Sequence, residues 1–220
     1  MMTYESRVVR GGAVPFPVFT GERVYMRGFT QASGLPEDLA RWQPTVDAML
    51  DGVDAPGEIY LMVDQGRVAA GTSHRRPGLH IDGYWHSLGH EGRPSPVHSG
   101  TPAYRGQPPA RTPVPRPEGR HEPTHVSGSG RRWEDATFEA PEALLLAASV
   151  AAARAFVGTW RGPVHEMGDC VHVDVSSLVE EVLLAGFVYA GNVTMLHESL
   201  PVLAATERTL VRLSVPGWTP

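Results

Sequence analysis

The chain has 220 residues and a net charge of −5, and all 19 of its basic residues are arginine. That acidic balance argues against nucleic acid or an anionic membrane as a partner, and the lack of lysine excludes any mechanism that needs one. The single cysteine, Cys170, excludes an internal disulfide and a cysteine-cluster metal site and fits a reducing, cytoplasmic setting.

The opening MMTYESRVVRGGAV has no apolar core behind a basic end, so no signal peptide is expected. The longest apolar run, residues 143–153, falls well short of the ~20 needed to span a bilayer. A soluble single domain over 1–220 is the expectation. Its first 34 residues are mixed, with a short strand at 23–26. The stretch LPEDLARWQPTVDAMLDG reads as helix: Pro36 suits a first turn, Glu37 and Asp38 follow it, and Gly52 closes it. Pro44 should divide that helix. Residues 58–74 read as two strands joined at Asp64-Gln65-Gly66. GLHIDGYW is then a further strand with His80, Asp82 and Tyr84 on one face.

Residues 87–136 change character, with nine Pro and seven Gly but only four Leu, Ile or Val. Such a stretch buries too little apolar surface to offset its own ordering entropy, and it reads as a long loop insertion. Beyond it, 141–158 is ambiguous, because its alanines favour helix while a strand–turn–strand reading needs context. SSLVEEVLL reads as a short helix with a Ser177/Glu180 capping box. Residues 186–202 read as a hairpin turning at Gly191-Asn192, and 208–215 as a final strand. Short strands dominate, with no βαβ alternation, so an antiparallel sandwich or barrel is expected.

Chance alone gives fewer than one His-x-Asp in a chain of this composition, and there are two, His80/Asp82 and His172/Asp174. His197 follows His80 by 117 residues, and Arg212-Leu213-Ser214 lies fifteen residues further on. Strand alternation puts Arg212 and Ser214 on one face and Val211, Leu213 and Val215 on the other. An arginine between apolar neighbours on a core strand is costly to bury unless it meets an anion. Its fork suits a carboxylate, to which the serine can also donate.

His-x-Asp, a distant His and then Arg-x-Ser resembles the iron(II)- and 2-oxoglutarate-dependent oxygenases. The resemblance covers roughly 58–86 and 138–216. It is carried further by RPGLHIDGYW and by GNVTMLHESLPV…RTLVRLSVPG, which look like the first and last strand pairs of that family's double-stranded β-helix. The fold it implies is mainly β, a jelly roll with a few short helices and one long loop insertion, and it favours strand–turn–strand over 141–158. It implies that His80, Asp82 and His197 bind Fe(II) on one face. It also implies that 2-oxoglutarate chelates the metal and places its far carboxylate on Arg212 and Ser214. His172/Asp174 lies only 25 residues before His197, too close to form the first and last ligands of a β-helix.

The implied activity is hydroxylation of a small molecule such as an amino acid, or of a peptide, with O2 consumed and succinate and carbon dioxide released. Arg75, with Arg76, is a candidate for a substrate carboxylate, and Trp85, next to the ligand strand, is a second candidate substrate residue. The remaining histidines, His74 among them, read as solvated. Two rivals stand beside this reading. A cupin-like metalloenzyme would keep the metal site without 2-oxoglutarate, and a non-catalytic ligand-binding jelly roll would need neither.

Overall fold

The alternation in 208–215 belongs to the central strand of a six-stranded antiparallel sheet. The computed structural model describes residues 2–83, 138–165 and 168–220. The insertion assigned to 87–136, together with Tyr84 and Trp85, lies outside the described residues. Among the described residues ten strands form: β1 (Thr3–Ser6), β2 (Val8–Ala13), β3 (Arg23–Phe29), β4 (Ile59–Val68), β5 (Glu142–Ala148), β6 (Ala153–Arg161), β7 (Val179–Val182), β8 (Phe187–Asn192), β9 (Leu196–Ser199) and β10 (Thr206–Pro216). One sheet runs β2-β8-β5-β10-β4-β3; the other has β6 at its centre, paired with β1, β7 and β9. All pairings are antiparallel, and neither sheet closes on itself. Of the sandwich or barrel expected from the strand pattern, the described residues form two open antiparallel sheets, and closure into a barrel is not seen among them.

Each face of the larger sheet has its own reason to be apolar. Ile59, Leu61 and Val63 of β4, Leu145 of β5, and Val211, Leu213 and Val215 of β10 turn outward. There they pack against Trp42, Val46 and Met49. Those three come from a 3₁₀ segment (Glu37–Trp42) that runs directly into a short helix, α1 (Gln43–Met49). Pro44 sits in the first turn of α1, where its missing N–H costs nothing, so the predicted division occurs at that point. The opposite face carries Tyr60, Met62, Leu144, Leu146 and Leu210, which form a second cluster with Ala155 of β6. A third cluster, including Tyr4, Leu79, Ile81, Phe156, Trp160 and Leu196, covers the other side of the smaller sheet.

Four expectations about elements are corrected. Residues 59–68 form one strand, not two, because β10 pairs with it in unbroken register from Thr206↔Val68 to Ser214↔Tyr60. The turn-forming residues Asp64 and Gln65 find side-chain partners there instead: Arg75 for Asp64, and Thr209 for Gln65. The 176–184 stretch holds no helix; its residues Val179–Val182 are strand β7, paired with β6 from Arg154↔Val182 to Val157↔Val179. Arg154 bonds Glu180 across that pair, so the glutamate that looked like a helix cap serves a ladder. Residues 186–202 are not a hairpin, since β8 lies in the larger sheet and β9 in the smaller. The 78–82 stretch is no named strand; His80 makes single bridges to Asp169 and His197. Strand–turn–strand over 141–158 is formed as β5 and β6.

The chain changes sheets twice at one place. It leaves the smaller sheet between β1 and β2 at Arg7, and returns to it between β8 and β9 after Asn192. The one asparagine in the sequence joins the two crossings. Its Oδ1 accepts from the Arg7 N–H at 2.9 Å, and its Nδ2 donates to the Glu5 carbonyl at 2.7 Å.

Candidate metal centre

His197 stands on β9 directly opposite Ala155 of β6. The small partner leaves the imidazole room toward the interior between the sheets. Leu196 points the other way, into the cluster that also holds Leu79 and Ile81. His80 and His197 form a reciprocal backbone pair, each N–H donating to the other's carbonyl at 3.0 Å. Directly paired residues send their side chains to the same face, and the two ring centroids lie 4.4 Å apart. Two residues on, alternation returns Asp82 to that face. His80, Asp82 and His197 each offer one ligand atom, and these atoms lie within 4.8 Å of one another. Among the described residues this is the only such group. His172/Asp174 does not join it: His172 stacks on His165 at 4.2 Å, and the Asp174 carboxylate accepts from the Ser176 N–H.

Neighbouring atoms set the protonation states. Nδ1 of His80 lies 2.7 Å from the Gly78 carbonyl, and Nδ1 of His197 lies 3.1 Å from that of Met195. A carbonyl only accepts, so both Nδ1 atoms carry a proton and Nε2 is the ligand atom each ring can offer, the arrangement metal-bound histidines adopt; His197 Nε2 lies 3.5 Å from Asp82 Oδ2. Burial, reinforced by the facing His197, pushes His80 down to about 3, so the ring is neutral at physiological pH. Burial alone would raise the Asp82 carboxyl. The Arg212 guanidinium, with the two imidazoles, outweighs that and holds it well below the usual carboxylate range. Two imidazoles and one carboxylate on one side are an N/O donor set suited to a divalent transition metal such as Fe(II).

Arg212 and Ser214 lie where strand alternation predicts, on the interior face of β10. Arg212 is 5% exposed and Ser214 1%. One Nη1 of Arg212 reaches Asp82 Oδ2 at 3.1 Å, which ties the larger sheet to the metal-ligand segment, and Nη2 meets Ser214 Oγ at 3.4 Å. The Nε of Arg212 is buried with no hydrogen-bond partner. A buried donor left unsatisfied costs about 1–3 kcal/mol, and a bound carboxylate would satisfy it. Arg75, the candidate substrate residue, instead commits one arm to Asp64 at 2.9 Å. Trp85 lies outside the described residues.

Sequence reasoning held Arg208 as the next candidate anchor after Arg212 but missed the histidine beside it. His74, read as solvated, has a side chain only 6% exposed, and its Nδ1 faces Arg208 Nη1 at 3.2 Å. The signal was available in the alternation that marked Arg212, since Arg208 lies four residues earlier on the same strand face. No helix of the described residues is long and apolar enough to cross a membrane. A surface recess lined by Phe29, Gln31, Gly34, Gln43, Asp47 and Leu50 shares no residue with either polar group.

Comparison of the chain with protein-family models, with curated proteins and with solved structures gives no match. The chemistry must be read from the site's own atoms.

Proposed function

We propose that this protein is a mononuclear non-haem Fe(II) oxygenase that uses 2-oxoglutarate and is built on a double-stranded β-helix. The observation that carries the reading is a buried arginine with an unsatisfied Nε, set against the carboxylate of a His/Asp/His group. A metal site alone would not call for that cation. A site that seats an anionic co-substrate beside the metal would.

His80, Asp82 and His197 would hold Fe(II), which when bound supplies the redox chemistry for O2-dependent oxidation of a C–H bond coupled to decarboxylation of 2-oxoglutarate. The chain's own work is positional. His80 and His197 turn Nε2 to the site because the Gly78 and Met195 carbonyls engage their Nδ1 atoms. Arg212 keeps Asp82 ionised and offers a fixed donor to a carboxylate, with Ser214 as a second, neutral donor. The apolar wall of Met62, Leu144 and Leu146 thins the water around that contact and strengthens it. By this reading the substrate is a small molecule or a peptide, and the setting is cytoplasmic.

The test is anaerobic titration with Fe(II) and 2-oxoglutarate, watched for a metal-to-ligand charge-transfer band, followed by a substrate screen scored by succinate release. Arg212→Ala should raise the 2-oxoglutarate requirement by about two orders of magnitude, since breaking a buried ion pair costs ~3–5 kcal/mol. Arg212→Lys should recover only part of this, and Ser214→Ala should show a smaller effect. Metal binding by a parent protein that takes up no 2-oxoglutarate would overturn the proposal in favour of a cupin-like metalloenzyme.

A further inference from the structure

The segment that carries His80 has a neighbour on each side. On one side it meets β9 through His197, and on the other it meets residues 168–170 through Asp169. There the Ile81 N–H donates to the Gly168 carbonyl and the Cys170 N–H to that of Leu79, both at 2.9 Å. Those bonds flank His80 and Asp169, which are therefore a non-hydrogen-bonded pair, with Cα atoms about 4.5 Å apart and side chains on one face. The alternate residues agree: Leu79, Ile81 and Cys170 all turn into the cluster on the far side of the smaller sheet. Asp169 thus stands beside His80 on the face that carries the three candidate ligands, on the side away from His197.

The loop holds that carboxylate in one place. Gly168, at φ +77°, takes the left-handed turn that glycine adopts without steric cost. Its N–H donates to the His165 carbonyl, and the His165 N–H donates to that of Asp169, each at 3.0 Å. Cys170 is fully buried and fixes the loop from behind. Oδ1 of Asp169 accepts from the Val171 N–H at 2.9 Å, which sets the rotamer. Its Oδ2 has no protein partner among the described residues. Asp169 is only partly buried, so it lies at the solvent edge of the site.

Asp169 lies outside the ligand group, whose atoms are those of His80, Asp82 and His197. It adds a fixed anion next to that group, where the walls are otherwise apolar and Arg212 faces it from the larger sheet. A bound divalent metal repels cations, so an ammonium that enters the site needs an anion beside it. We infer that Asp169 is a specificity-determining residue that seats a primary ammonium group of the substrate at the rim of the metal site. The inference rests on the functional reading above and narrows its substrate to amines, amino acids and peptides included. The neighbouring cation is Arg76, exposed just before His80. A substrate with a carboxylate as well as an ammonium would meet both charges.

The experiment pairs primary amines with isosteres that carry a hydroxyl in place of the ammonium, L-norleucine with 2-hydroxyhexanoate and n-hexylamine with 1-hexanol. It uses the parent, Asp169→Asn and Asp169→Ala. Asparagine keeps an acceptor for the Val171 N–H and removes the charge, whereas alanine removes both. The first readout is paramagnetic broadening of the probe protons by Mn(II)-loaded protein. In the parent at least one amine should bind about tenfold or more tightly than its isostere, the scale of a hydrogen bond between charged groups. Asp169→Asn should lose that preference while keeping the parent's thermal transition. The second readout is succinate release with Fe(II) and 2-oxoglutarate. There Asp169→Asn should raise KM for that amine by a similar factor, with kcat near the parent's. A parent that prefers neither amine overturns the inference without any variant. Preference kept in Asp169→Asn overturns it too, even where Asp169→Ala loses it, because Asp169 then serves only the fold of its loop. If the parent releases no succinate, the functional reading falls, and the Mn(II) broadening alone decides this inference. An amine preference lost in Asp169→Asn supports it; an unaltered or absent preference overturns it.

Discussion

At the scale of single residues, three side chains should be indispensable for metal and their nearest rival should not. His80→Ala, Asp82→Ala and His197→Ala should each abolish stoichiometric Fe(II) binding, measured anaerobically. His172→Ala should leave it intact, because His172 is stacked on His165 and not turned to the site. The metal-free protein should also be acid-sensitive through His80. Its folded value of about 3 lies below the ordinary 6.5, so between these the unfolded chain binds a proton that the folded chain refuses. Folding stability is therefore full above 6.5 and falls as the pH drops toward 3, by at most ~1.4 kcal/mol per unit from this group. Asp64, whose partners hold it at about 2 against burial, adds a later loss as the pH falls from the usual carboxylate range toward that value. Urea denaturation of metal-free His80→Gln across this range should give a shallower slope between 6.5 and 3 than the parent. An identical slope would mean that His80 does not resist protonation.

At the scale of elements, the junction at Asn192 is where a small change should loosen the most structure. Asn192→Ala removes its hydrogen bonds to Arg7 and Glu5; the Glu5 carbonyl keeps the Thr194 hydroxyl at 2.7 Å and the Arg7 N–H can turn to water, so the loss should be about 0.5–1.5 kcal/mol. Chemical denaturation should show that drop, while Asn192→Asp, which keeps the acceptor toward Arg7, should lose less. The same junction explains what could be read from the sequence. Alternation alone identified β10 and its inward Arg212 and Ser214, because a strand buried on both sides has no other way to place them. The hairpin at 186–202 was misread because Gly-Asn marks a turn, and nothing local says that the two arms join different sheets. β7 was misread because Ser177 and Glu180 match a helix cap, while the partner that makes them a strand, β6, lies more than twenty residues earlier. Asp64-Gln65-Gly66 carried turn chemistry, and their actual partners, Arg75, Thr209 and His74, are tertiary. The His80/Asp82/His197 group was legible through its resemblance to the oxygenases, and the structure brings the three side chains together; nothing local to His80 says that His197, 117 residues on, is its partner.

At the scale of the molecule, every named strand and all three candidate ligands come from residues outside 84–137. Replacing residues 90–130 with a short Gly/Ser linker should therefore leave a folded, Fe(II)-binding protein, judged by its cooperative thermal transition and its metal stoichiometry. Global unfolding of that variant would show that the stretch carries part of the core. The backbone pair between His80 and His197 has a kinetic side as well. It joins residues 117 apart in sequence, so the chain must close a large loop before the two imidazoles meet. Contacts of such long range tend to form late on the folding path. Metal added to refolding protein would then find no site in the transition state and could not hasten folding. It should act only on the way out, slowing unfolding in proportion to occupancy. Stopped-flow refolding and unfolding with and without Fe(II) under anaerobic conditions would separate the two arms, and an accelerated folding arm would mean that the ligand pair assembles early, ahead of the sheets that flank it.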